Sequence, residues 1–142
     1  MTSAREAIFA KIEQLLTALP SVSEVERMPS GDPCKFPALH IWDEGQRPEQ
    51  SEAGVTEYGM TFNIDGYVEA AGGSAAHMAL NALHSATVQA LVTEPPIGGL
   101  VDEITEGVMN VSIAPLASKR RLAFTAEFTV NFPTARGNPE II

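Results

Sequence analysis

The stretch Tyr58-Gly-Met-Thr-Phe-Asn-Ile-Asp-Gly-Tyr-Val-Glu-Ala70 decides how the rest of the chain is read. Tyr58, Met60, Phe62, Ile64, Val68 and Ala70 share one parity, and Gly59, Thr61, Asn63, Asp65, Tyr67 and Glu69 share the other. Successive side chains of a strand point to opposite faces, so this pattern predicts a long strand with one buried face. Gly66 interrupts the apolar set, which marks a bulge or a close packing contact.

Downstream, Gly72-Gly73 ends the strand and Ser74 is expected to cap a helix over about Ala75 to Thr93. Leu80, Leu83, Thr87, Ala90 and Leu91 form its inner stripe, and its many alanines make it slim enough to lie close to a sheet. Glu94-Pro95-Pro96 stops it. Val101 to Ala114 reads as an imperfect strand, best at Met109, Val111 and Ile113, and Pro115 to Arg120 as a turn. Arg121 to Phe132 alternates as cleanly as the opening stretch. Residues 134–142, with their Gly, Asn and Pro, are expected to be a flexible tail behind a single domain over residues 1–133.

Upstream, Glu44 to Thr56 is polar, carries Gly45, Pro48 and Gly54, and reads as a long loop. Ala38 to Asp43 reads as a strand with Leu39 and Ile41 on one face and His40 and Trp42 on the other. Pro29 to Pro33 is a loop, and Ser21 to Met28 a poor short strand. A helix is predicted over about Ala4 to Leu19. Ser3 and Glu6 make a capping box, Ile8, Ile12, Leu15, Leu16 and Leu19 make its stripe, and Pro20 ends it. The economical architecture is α+β, a two-layer sandwich. It has a mainly antiparallel sheet of four to five strands with two helices packed on one face.

Composition narrows the function. The 142 residues suit one domain, and 44% are apolar, enough for a core. Only 19% are charged, as expected of a surface partly covered in an assembly. The net charge of −9 repels phosphate backbones and argues against specific duplex binding. The single cysteine, Cys34, excludes an internal disulfide. The N-terminal residues lack the apolar core of a signal peptide, and no segment has the apolar length of a membrane span.

Few residues are arranged for chemistry. His77 and His84 lie two helical turns apart, about 10.5 Å, too far for one metal ion. His40 has no local partners in the sequence. Cys34 sits between two prolines beside Lys35, either as a plain loop residue or as a thiol activated by that lysine. Asp102, Glu103 and Glu106 cluster at a strand start, and Asp43 and Glu44 at a strand end. Both sets are read as solvated carboxylates. Gly72-Gly73-Ser74 lacks the rest of a phosphate loop. The basic cluster Lys119-Arg120-Arg121 falls in a hairpin turn. No catalytic, cofactor-binding or metal-binding residue is assigned, and no cofactor is expected.

Several segments resemble the tail terminator family of long-tailed bacteriophages, the lambda minor tail protein U type. They are Arg5 to Ile8, Leu19-Pro20-Ser21-Val22, Phe36-Pro37-Ala38-Leu39-His40-Ile41 and the strand from Tyr58. The alanine-rich helix, Pro96-Ile97-Gly98-Gly99-Leu100-Val101 and the strand from Leu122 complete the set. The resemblance implies a non-enzymatic virion tail protein, made in the host cytoplasm. It implies a ring, typically a hexamer, on the tail tube protein, which stops tube polymerisation and offers a surface to a head-completion or neck protein. DNA would pass the ring lumen without specific binding, which suits an acidic chain. Trp42, Arg47, Lys119 and Arg120 are the expected contact residues. Neck and tail-completion proteins share this layout. Two other classes remain open: a small hotdog-type thioesterase-like enzyme, and an acidic adaptor or immunity-type protein that masks a basic partner.

Overall fold

The computed structural model describes residues 2–115 and 119–140. Helix α1 (Ala4–Thr17) is followed by strands β1 (Glu24–Arg27), β2 (Ala38–Glu52) and β3 (Val55–Ala70). Helix α2 (Gly73–Val92), a 3-10 turn over Pro96–Gly99 and strands β4 (Glu103–Pro115) and β5 (Arg120–Ala135) complete the chain. The strands form one sheet in the order β1-β2-β3-β5-β4. Only the β1–β2 pair is parallel, and the other three pairings are antiparallel. The fold is thus the expected α+β arrangement, with a five-stranded mixed sheet and two helices.

The alternation in β3 and β5 sets the core. Met60, Phe62, Ile64 and Val68 are buried, as are Leu122, Phe124, Phe128 and Val130 across the register. Phe62 stacks on Phe128 with ring centroids 5.5 Å apart, and Phe9 of α1 meets Phe62 edge-on. Ile8, Ile12 and Leu16 of α1 join Leu80, Leu83 and Leu91 of α2 in the same core cluster, so both helices lie on one face of the sheet. Ala90, expected in the inner stripe, is only half-buried, while Ala76 is fully buried. At Gly66 a Cβ would stand 2.1 Å from the Phe124 ring, so this glycine admits a buried aromatic against the strand.

The helix starts differ from one another. Ser3 Oγ accepts the Glu6 N–H at 3.1 Å, as a capping serine should. Ser74, by contrast, lies inside α2. Gly72 is the N-cap residue, in extended conformation, and its carbonyl accepts the Ala76 N–H. Helix α1 ends at Thr17, three residues before Pro20.

The largest correction concerns residues 44–56, expected as a loop. β2 runs unbroken to Glu52, and β3 begins at Val55. Ala53 and Gly54, at φ 54° and 77°, turn the chain with both central residues in the left-handed region, the geometry of a two-residue hairpin. Residues 44–52 are exposed on both faces, so no apolar alternation announces them. The backbone ladder to β3 holds them, with register shifts between Asp43 and Gln46 and between Pro48 and Gln50. At the other end, β5 extends through Ala135, with Thr134 buried, into the stretch expected as a loose tail. The Pro139 carbonyl accepts the Ala4 N–H at 2.8 Å, and Glu140 bridges to Ser3.

Candidate assembly interface

The helix layer is too narrow for the sheet. Two helices, each about 10 Å across, cover about 20 Å, which is four strands at about 4.8 Å spacing. Helix α1 packs against β1, and α2 against β3 and β5. The fifth strand, β4, is left over at the edge. Its residues Met109, Val111 and Ile113 pair with Ala126, Phe124 and Leu122, all of which face the core. These three therefore point to the helix side, yet they are 37%, 50% and 62% exposed. Val108, in the irregularity between Glu106 and Met109, is 67% exposed. An edge strand with an uncovered apolar face and a free backbone edge is a template for another chain. Covering side chains so exposed contributes on the order of 1 kcal/mol each.

The second margin of the sheet is polar. β1 covers β2 only from Ala38 to Ile41, so the outer edge of β2 is unpaired beyond that point. Arg47 on this edge has an 82% exposed side chain, 3.8 Å from Glu49. With Glu44, Gly45, Gln46 and Gly59 it lines a shallow depression of about 290 Å³. Trp42 is half-buried on β2 opposite Asn63, and its indole N–H and the Asn63 Oδ1 are both buried without a partner. Lys119 and Arg120 are exposed at the start of β5, and part of the turn before them, 116–118, lies outside the described residues. The structure thus places Trp42 and Arg47 on this margin, and Lys119 and Arg120 at the end of the sheet where β4 passes into β5.

Asp43 connects α1 to this second margin. Arg5 donates to both of its oxygens, at 2.6 and 2.7 Å, and its Nε donates to Gln46 at 2.6 Å. Burial pushes the Asp43 carboxyl up, but the Arg5 hydrogen bond, the Gly45 N–H and the Arg5 charge together hold it below the ordinary value. At Glu57 on β3, near the start of β4, the balance is reversed. Burial, then the charges of Asp102 and Glu49 and a hydrogen bond with Asp102, push Glu57 above the ordinary carboxylate value.

His40 is the residue on which the sequence reading fell short. It is 1% exposed, and its Nε2 lies 2.8 Å from Glu24 and 3.9 Å from Glu26. The Cys34 N–H donates to the other Glu24 oxygen at 3.0 Å, and Tyr67 packs edge-on against the imidazole. Burial raises the Glu24 carboxyl, but the contacts from His40 and the Cys34 amide outweigh it and hold the group below its ordinary value. The Glu24, Glu26 and His40 ligand atoms lie within 4.8 Å of one another, so this trio is the set of described residues that could hold a metal ion. In the fold the trio ties β1 to β2, where Glu26 pairs with His40 in the parallel register. The Glu-x-Glu spacing of β1 carried the signal, which becomes readable once β1 is paired with β2.

Cys34 is exposed, His77 is exposed, and His84 packs edge-on against Phe124 at 5.2 Å. Asp102, Glu103 and Glu106 are exposed. The four depressions described line α1, the helix junction, the turn after α2 and the β2–β3 hairpin, and none of these four contains Cys34, His40 or Asp102.

No protein-family model and no curated protein sequence matches the chain. Among solved structures, the fold is similar to a chain of the "Virion of native gene transfer agent (GTA) particle". The TM-score is 0.55 at 16% identity, covering 91% of this chain and 95% of that one. The shared feature is therefore the fold, over nearly the full length of both chains.

Proposed function

We propose that the chain is a non-enzymatic structural protein of a phage or prophage virion. It acts as a tail terminator that closes as a ring, a hexamer in our reading, on the finished tail tube. One observation carries this: the apolar edge strand β4, which the chain's own helices are too narrow to cover. The likeness of the fold to a chain from a phage-like particle supports the same reading. The ring ends tube growth by geometry. One face matches the tube end, while the opposite face fails to match a further tube subunit and is left for a head-completion or neck protein. Arg47, Lys119 and Arg120, all exposed, and Trp42, with its unpartnered indole N–H, belong to the contact margins. DNA passes an acidic lumen without specific binding.

The test is to polymerise the tail tube protein encoded with this chain, with and without it, and to measure tube lengths by negative-stain microscopy. A terminator gives short tubes, each tipped by a ring. Tubes of unchanged length without a ring refute the reading. Rings that bind completed heads but not tubes point instead to a neck protein.

A further inference from the structure

Resting on the ring reading, we infer how neighbouring copies meet: β4 of one copy pairs antiparallel with the β1/β2 margin of the next, in unshifted register. The sheet has two unpaired margins on opposite sides, one along β4 and one along β1 and the free part of β2. Following the pairings across the sheet, β2 runs opposite to β3, β3 to β5 and β5 to β4, so β4 runs opposite to β1 and β2. A copy displaced sideways along the sheet therefore presents an antiparallel edge, with its helix face on the same side. Such a contact joins two different surfaces, as a closing ring requires.

The rows of the sheet then decide which side chains meet. Arg47, Gly59, Asn131 and Glu103 form one row, so the next copy's Arg47 comes beside Glu103, opposite in charge. Val25, Leu39, Gly66, Phe124 and Val111 form another, which sets half-buried Val25 beside half-exposed Val111. Between these rows, Met28, 53% exposed just beyond β1, comes level with the irregularity that carries Val108. The Arg5–Asp43 pair comes level with Glu106, which adds a second carboxylate to the guanidinium. At these positions apolar meets apolar and acid meets base, while Arg27 comes beside Met109 and Gln46 beside Ile104. A two-fold arrangement would instead bring β4 against β4.

The experiment is oxidative cross-linking on tail tubes in a Cys34→Ser background. Two double variants are used: Arg47→Cys with Glu103→Cys, and Val25→Cys with Val111→Cys. Both should give a ladder of covalent oligomers that ends in a closed ring on a non-reducing gel, while each single variant stays monomeric. Rings visible by microscopy without cross-linking in either double variant overturn the contact and leave the ring reading standing. Dimers from Val111→Cys alone also overturn it, in favour of a two-fold pairing. No ring on any tube with the wild-type chain overturns both the contact and the reading beneath it. Reduced samples of each variant, imaged in parallel, separate loss of assembly from loss of cross-linking.

Discussion

Strands β5 and β4 are neighbours that each carry an alternating apolar set, yet one is the centre of the core and the other lies bare. Phe124 and Phe128 of β5 are 1% exposed, whereas Val111 and Ile113 of β4 are 50% and 62% exposed. The difference is what lies above them. Helix α2 covers β3 and β5, and nothing within the described residues covers β4. Alternation specifies that a strand has an apolar face, and the width of the helix layer decides whether the chain itself buries that face. Where it does not, the face is left open to a second chain.

The sharpest break in this comparison is a pair of substitutions read by chemical denaturation of the free protein. Phe128→Ala removes a stacked ring from the core and should cost about 3–5 kcal/mol. Ile113→Lys, on the neighbouring strand, should leave the stability of the free protein within about 0.5 kcal/mol of wild type. A comparable loss from both would mean that β4 is buried after all. Gly66→Ala comes next. Its Cβ must displace the Phe124 ring, for a loss of about 2 kcal/mol in the same assay. An unchanged stability would show that the strand and ring have room to separate.

Electrostatic changes are smaller and have opposite signs at Asp43 and Glu57. Asp43 is held below its ordinary value in the folded state, so it stabilises above the unfolded pKa, and that stability is lost as pH falls through the folded value. Arg5→Ala should therefore cost below about 1 kcal/mol at neutral pH, with a difference from wild type that shrinks in acid. Glu57 is the reverse. Its raised value means that the ionised form is unfavourable in the fold, so Glu57→Gln should raise stability slightly at neutral pH. That gain should vanish once the solution is acidic enough to protonate Glu57. Urea titrations at neutral pH, at about pH 4 for Glu57 and below about pH 3 for Asp43, on either side of the ordinary carboxylate range, measure both.

Much of this fold is legible in the residues. The alternations at Tyr58 to Ala70 and Arg121 to Phe132 and the stripe of α1 each obey a period that follows from burial on one side. The hidden parts lack that cause. Residues 44–52 are held by backbone pairing alone, with water on both faces, so their side chains carry no period. The Glu24–His40 contact joins residues far apart in the chain through the parallel pairing of a four-residue strand whose own alternation is weak. The proposed assembly surface is half visible. Met109, Val111 and Ile113 mark an apolar face, but its exposure follows from strand order and helix position, which only the folded chain displays.

Hydrogen exchange of the β4 amides, compared between the free protein and the protein bound to tail tubes, tests the assembly surface most directly. If β4 is where copies join, exchange across Glu103 to Pro115 slows markedly on tubes, while β3, already central in the sheet, changes little. Equal exchange of β4 in the two states, on tubes that carry rings, would contradict it.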